Sequence, residues 1–467
     1  MSKFEKCILL LILISLWFSK TQAQEIADVR PPILPIRYLE NYGFLKDSSK
    51  ATAPFDTIKF IRLNAEGSSY VSFGGELRSF YESIHNRQDE GEGFLLTRLM
   101  AHADLHLGNR FRFFVQPASG FELFKETPAR VIDRDELFLL NLFADYKFID
   151  TGSESLTARL GRQELNYGRG RMVTIREGPN VRHYWEGIKL IYETSRWKVD
   201  GFLTKYGNNQ PGVLDNPILD SEETFLGVYA QSNTAEILDS NIDLHYFGFI
   251  DEISQFFNAE GEETRHSLGL RLYNIKGKWD YDVEAIGQFG TVGESNIAAF
   301  GFYGETGYTF YPKASITKRI GLKVDYFTGD RDSTDTKLNS FNPMYPRQGY
   351  YRGAGALYAS NFWDIHPSFT IAKENDFNLL VDWAWYWRTS VEDGLYIGGN
   401  GMPLLEPDGL EKEFLGSQLN FQLTYTFNPY MSSTINYSRF YSGGFVRDNP
   451  TPMEISDFLN LTFLFRF

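Results

Sequence analysis

In the stretch Leu415–Phe427, Leu415, Leu419, Phe421, Leu423, Tyr425 and Phe427 share one parity, while Gly416, Gln418, Asn420, Gln422, Thr424 and Thr426 share the other. A helix scatters such a pattern around its axis, whereas a strand sends each set to its own face. Trp279, Tyr281, Val283, Ala285 and Phe289 alternate with Asp280, Asp282, Glu284 and Gln288 in the same way. So do Leu95, Leu99, Ala101, Ala103, Leu105 and Leu107 against Arg98, His102, Asp104 and His106. Eighteen such segments are predicted, near 70–82, 94–107, 110–118, 136–149, 155–163, 187–193, 196–206, 223–230, 241–250, 264–275, 277–289, 297–310, 318–328, 365–373, 377–388, 414–427, 430–441 and 457–467. A tilted strand crosses a bilayer in about 9–11 residues, which suits most of these lengths.

The connections carry an independent signal. Gly108-Asn109, Thr194-Ser195, Lys276-Gly277, 373–376 and Asn428-Pro429 read as tight turns. Longer loops fall near 83–93, 119–135, 164–186, 207–222, 251–263, 329–364, 389–413 and 442–456, with a longer turn at 231–240 and a short outer loop at 290–296 as exceptions. Short and long alternate, as in barrels with brief periplasmic turns on one rim and extended external loops on the other. The chain closes on Leu459, Leu461, Phe463, Phe465 and Phe467, an amphipathic last strand with a terminal aromatic. The expected fold is therefore all-β, a transmembrane antiparallel barrel of about eighteen strands over 70–467, in which every backbone N–H and C=O is paired and none faces lipid.

Lys3 and Lys6 precede an apolar run from Ile8 to Phe18, and Thr21-Gln22-Ala23 offers small residues for cleavage. That layout predicts a signal peptide over 1–23 and export through the inner membrane. Residues 24–69 hold Pro31, Pro32, Pro35 and Pro54 and no sustained period; they read as an irregular periplasmic lead-in with one short strand at Ile58–Leu63. Cys7, the sole cysteine, lies in the leader, which excludes a disulfide scaffold or a thiol enzyme. The formal net charge is −14, and the leader would remove three lysines and one glutamate, so nucleic acid is excluded as a partner.

Against that acidity, Arg159–Lys189 is out of character. It carries Arg159, Arg162, Arg169, Arg171, Arg176, Arg182 and Lys189 against Glu164, Glu177 and Glu186. Gly161, Gly168 and Gly170 would let this chain bend into a pore mouth. Arginine presents a planar fork that binds carboxylates bidentately, and rings of charge set selectivity in pores. Two roles stay open: selection of an anionic solute, or balance of lumenal acids in a nonspecific diffusion porin. By parity the inward positions include Glu76, Arg78, Arg98, His102, Asp104, His106, Arg159, Lys198, Asp200, Asp280, Asp282, Glu284, Lys323, Asp325 and Arg388. A cation facing lipid at mid-bilayer would cost about 2–4 kcal/mol.

At these residues the chain resembles a known family, the alginate-export barrels of the bacterial outer membrane. The matching stretches are YVSFGGELR at 70–78 with FLLTRL at 94–99, GRQELNYGRGRMV at 161–173 with WEGIKL at 185–190, and DYFTGDRDSTDTKLNSFNPMYPRQGYY at 325–351. The resemblance implies an eighteen-stranded barrel whose arginine-rich lumen passes anionic polysaccharide or small anions. It implies pore-facing cations at Arg78, Arg98, Arg159, Arg162, Arg169 and Arg171, to which the basic stretch adds Arg176 and Arg182. It also implies an external loop from Gly329-Asp330 through Pro346 folding back over the mouth. The Asn428-Pro429 turn is too short to serve as a periplasmic plug. The expected setting is the outer membrane, with bilayer and lipopolysaccharide around a monomer.

No catalytic or metal role is expected, and no cofactor. His102 and His106 flank Asp104 on one face, but no third ligand is evident. The acids Asp325, Asp330, Asp332 and Asp335 lack the spacing of a calcium loop. Trp383, Trp385 and Trp387 share the apolar parity and read as an interfacial girdle. A membrane-embedded hydrolase using His102 or His106 has no motif behind it.

Overall fold

A computed structural model describes residues 30–86, 92–232, 240–347, 357–396, 403–450 and 455–467. The expected signal peptide and most of the 231–240 turn lie outside the described residues, as does the end of the 325–351 stretch.

Eighteen strands form the wall. The first six are β1 Tyr70–Asn86, β2 Glu92–Leu107, β3 Phe111–Leu123, β4 Asp135–Asp150, β5 Glu154–Gln163 and β6 Trp185–Thr194. The next six are β7 Trp197–Tyr206, β8 Thr224–Ser232, β9 Asn241–Gln255, β10 Glu260–Asn274, β11 Trp279–Val292 and β12 Ser295–Phe310. The last six are β13 Thr317–Phe327, β14 Phe362–Lys373, β15 Phe377–Arg388, β16 Phe414–Asn428, β17 Met431–Ser442 and β18 Ile455–Arg466. Each pairs antiparallel with its sequence neighbours, and β1 closes on β18 from Glu76↔Arg466 to Asn86↔Ile455. The result is a closed eighteen-stranded meander without a free edge.

All eighteen expected segments are present, and several run farther than the alternation reaches. The loop expected at 251–263 is a tight connection at 256–259, because β9 continues to Gln255 and β10 begins at Glu260. A register shift between Asp251 and Ser254 breaks the parity there. The outer loop expected at 290–296 shrinks to 293–294, with Gly293 at φ +52°. Near the N-terminus only Ile61–Arg62 pairs, with Val71 and Tyr70, and the residues before it form a helical turn at Asp56–Lys59.

Parity divides the wall as expected. Leu160 is 66 % exposed on the outer surface, while its neighbour Arg159 is 4 % exposed on the inner one. Trp383 and Trp363 are among the exposed outer side chains, stacked on Trp385 and Trp387 respectively. Gly161 and Gly187 face each other across β5 and β6 at φ +130° and +155°.

The lumen is not empty. Residues 164–184 turn inward, and so do residues 328–347. The two meet in a short parallel ladder: Tyr345 N–H donates to Met172 O (3.0 Å), Thr174 N–H to Tyr345 O (3.0 Å), and Arg347 N–H to Gly170 O (2.7 Å). Gly168 and Gly170, at φ +56° and +73°, supply the bend that the sequence suggests. Leu165, Tyr167, Met172, Val173, Met344 and Tyr345 pack with inward wall residues such as Trp185, Phe225, Phe247 and Phe327 into one buried cluster. The stretch from Gly329 through Pro346 thus folds inward, as the resemblance implies.

From the short-turn rim, residues 30–59 enter as well. Arg37 donates to Gly75 O (2.9 Å) and Phe467 O (2.7 Å), clamping the segment across the closing seam. Tyr38 sits edge-on to the inward rings Phe114 and Phe143, with Arg159 over its face at 4.4 Å. Ile36 packs with Ile175 of the opposite inner loop. The irregular lead-in packs against the barrel's inner face.

Candidate functional site

The sequence points to eight arginines, and their positions follow from three sources. Arg78 and Arg98 stand on the paired inward positions of β1 and β2. Arg159 and Arg162 stand on β5. Arg169, Arg171, Arg176 and Arg182 ride on the inner loop that the glycines turn into the lumen.

Four cations converge on one acidic group. Arg98 pairs with Glu76 (2.6 Å) and Glu177 (2.9 Å), and Arg466 with the same two carboxylates (2.7 and 2.9 Å). Arg182 reaches Glu177, Glu164 (3.2 Å) and Glu76 (3.7 Å). Arg78 makes no ion pair among the described residues: it donates to the carbonyls of Glu177 and Pro179 (2.7 Å) and to Asn180 Oδ1 (3.2 Å). Arg78, Arg98, Arg182, Glu76 and Glu164 are buried, so mutual pairing is the condition for their being charged there.

The other arginines differ in how fully they are matched. Arg159 pairs with Asp145 at 2.8 Å and Arg162 with Glu186 at 2.5 Å. Arg171 spans Asp282 (2.8 Å) and Glu284 (3.2 Å) on β11. Arg169 pairs with Glu305 at 3.1 Å and with Asp282 at 3.8 Å, and 44 % of its side chain stays exposed. Arg176 donates to Val181 O (3.1 Å) and has no ion pair among the described residues.

Sequence reading missed a ninth cation. Arg347 follows the FNPMYP run at the end of the short ladder and is exposed. Among the described residues no carboxylate lies within ion-pair distance of it. Arg169 is its cationic neighbour. Its position inside a quoted motif was the available signal. Glu76 is readable as inward by parity, but its pairing with Arg466, which organises the buried group, depends on the seam.

Opposite these cations, the wall of β9–β13 is rich in acids, including Asp243, Asp282, Glu284, Glu305 and Asp325. Asp243 and Asp282 are bridged by Arg271 at 2.7 and 2.6 Å. The His102/Asp104/His106 face is occupied: Asp104 accepts from Arg112 (2.7 Å) and from His106, and His102 stacks on Phe114. Among the described residues no cluster of three or more His, Cys, Asp or Glu is placed to hold a metal ion. Asp332 and Asp335 accept from Thr334 and Lys337 in local turns.

Comparison with known proteins bears on what this barrel is. Residues 69–454 match the model of a family described as alginate export. Three crystal structures illustrate the structural likeness. OpdK of Pseudomonas aeruginosa, solved with vanillate, superposes with a TM-score of 0.57 at 9 % identity, over 85 % of this chain and 98 % of that one. OpdO of the same organism gives 0.55 at 11 %, over 85 % and 97 %. OccAB3 of Acinetobacter baumannii gives 0.55 at 11 %, over 85 % and 99 %. At such identity the likeness establishes the fold. No curated protein matches the sequence.

Proposed function

The chain belongs to the alginate-export family and forms an outer-membrane channel, and from that premise we propose that it selects anionic, carboxylate-bearing solutes, an alginate-like polysaccharide or smaller relatives. The observation that carries this reading is the Arg169–Arg347 pair on the ladder that crosses the lumen. Arg347 has no carboxylate partner among the described residues, and Arg169 keeps 44 % of its side chain exposed. Exposed, undercompensated guanidinium groups in a narrow water path attract carboxylates and repel cations.

Arg78, Arg98, Arg159, Arg162, Arg171 and Arg182 then act one step back. Their charges are spent on Glu76, Glu164, Glu177, Asp145, Glu186, Asp282 and on backbone carbonyls, and they hold the inner loop in place. Arg176 lies with them on that loop. In this reading the short-turn rim faces the periplasm, a leader over 1–23 directs export, residues 24–69 belong to the periplasmic side, and one chain makes one pore. The chemistry is passage, without a catalytic step.

The same pairing supports a second reading, a nonspecific diffusion porin in which arginines only offset acids. The purified barrel in planar bilayers separates the two. A salt gradient giving an anion-selective reversal potential, with conductance blocked by added oligouronate, supports selection. Weak selectivity, indifferent to uronates and with free uptake of neutral sugars, supports diffusion.

A further inference from the structure

Two adjacent strands of the wall carry almost no charge between them. Phe414–Asn428 contains no charged residue, and Met431–Ser442 contains one, Arg439, whose side chain is 46 % exposed and pairs outward with Asp457 at 3.8 Å. The inner face of β16 and β17 therefore reads Gln418, Asn420, Gln422, Thr424 and Thr426 beside Ser432, Thr434, Asn436 and Ser438. Nothing in the lipid forbids charge on that face, since inward side chains meet water or protein. Strands β10–β13 show the contrast, with Arg271, Asp282, Glu284, Glu305, Arg319, Lys323 and Asp325 on theirs.

The neutral face extends in register onto Asn460 and Thr462 of the seam strand. Asn436 opposes Gln422 on one side and Asn460 on the other; Thr434 opposes Thr424 and Thr462. The side chains are linked across and along the strands: Asn436 Nδ2 donates to Asn460 Oδ1 (3.0 Å) and Thr424 and Thr434 share a hydrogen bond of 3.0 Å between strands, while Thr462 Oγ1 donates to Asn460 Oδ1 (3.0 Å) along β18. These bonds run to wall neighbours, and Thr424, Thr434, Asn436 and Thr462 each keep part of their surface exposed. Each amide carries both donors and acceptors, and each hydroxyl can do either.

We propose that the inner face of β16–β18 is a hydrogen-bonding track for the hydroxyl groups of a saccharide chain, running alongside the arginine constriction. The inference deepens the proposed function: Arg169 and Arg347 read the carboxylates, and the Thr434/Asn436/Thr462 rows read the hydroxyls. Neutral groups suit this task because successive sugar hydroxyls exchange one modest hydrogen bond for another, about 1 kcal/mol each, so that the chain is held without being trapped. A solute with carboxylates but no hydroxyl array would gain nothing from this face.

The test uses the full-length barrel in planar bilayers, with Thr434→Val and Asn436→Leu combined, and with the conservative pair Thr434→Ser and Asn436→Gln. Three probes block current: oligogalacturonate, maltotetraose, and the non-sugar polycarboxylate tricarballylate. The expected result is a loss of about thirtyfold in block by both saccharides, from two lost hydrogen bonds. The conservative pair retains the block, and the reversal potential and tricarballylate block are unchanged. Saccharide block equal to that of the unmodified chain, or an equal loss for tricarballylate, overturns the proposal. If instead the track variant loses saccharide block while Arg169→Ala with Arg347→Ala leaves selectivity untouched, the track stands and the anion-selecting reading falls.

Discussion

The Tyr38 hydroxyl donates to the backbone carbonyl of Glu164 at 2.5 Å, joining two segments 126 residues apart in the middle of the lumen. One enters from the short-turn rim and the other from the long-loop rim. Arg182 doubles the connection by donating to Pro35 O at 3.0 Å. The water path is thus narrowed by segments from both ends, held against each other as well as against the wall.

Truncating Tyr38 to Ala removes a ring packed between Phe114, Phe143 and Arg159, a large-to-small change that typically costs about 3–5 kcal/mol of local packing. Tyr38→Phe loses only the hydrogen bond, about 1 kcal/mol. The expected order of single-channel conductance is Tyr38→Ala above Tyr38→Phe above the unmodified barrel, and deletion of residues 30–59 gives the largest value. Proteolysis of the segment should follow the same order.

Lys59 gives the docked segment a pH dependence. Its ammonium is buried, near Arg37 and 4.8 Å from the Tyr42 ring, and these surroundings lower its pKa from 10.5 to about 8. The released segment binds the proton more tightly than the docked one. Docking therefore strengthens as pH rises from about 8 towards 10.5, and is constant below that window. Conductance should fall over this range, and Lys59→Met should abolish the dependence.

Glu76 is the common partner of Arg98, Arg182 and Arg466, within the group that also holds Glu177. Glu76→Gln leaves three buried guanidinium groups with one acceptor fewer, and breaking such a pair costs about 3–5 kcal/mol. The variant should unfold at lower urea by the heat-modifiability of its gel migration. Glu305→Gln, whose partner Arg169 is half exposed, should shift the midpoint far less.

Gly161→Ala tests the entry into the inner loop. The residue sits at φ +130°, and an added Cβ would lie 2.3 Å from the Leu142 carbonyl oxygen. Backbone strain of about 1–3 kcal/mol adds to that clash. Slower assembly into the heat-modifiable form is expected, whereas Gly201→Ala, with open space around its Cβ, should assemble normally.

The strands were legible because lipid on one side and lumen on the other impose opposite demands on successive residues. Where that contrast ends, so did the reading: β9 and β10 extend into water past Asp251, and their hairpin looked like a loop. The arginines were legible as inward by parity, and the loop's bend by its glycines. Their partners were not, because Glu76 meets Arg466 only when β18 closes on β1, 390 residues away in sequence. The inner position of Ile36–Tyr38 left no periodic trace either, since an irregular segment is placed by what it packs against. The uncharged parity of β16 is visible in the sequence; its meaning needed the neighbouring strands for comparison.

The central claim is that Arg169 and Arg347 set selectivity, and it is tested most directly by the reversal potential of the purified barrel in a salt gradient. With Arg169→Ala and Arg347→Ala combined, the anion preference should collapse towards zero or reverse to cation preference, given the acids of β9–β13. Arg159→Ala should leave the preference in place, since that guanidinium is already paired with Asp145. An anion preference unchanged in the double variant would contradict the claim.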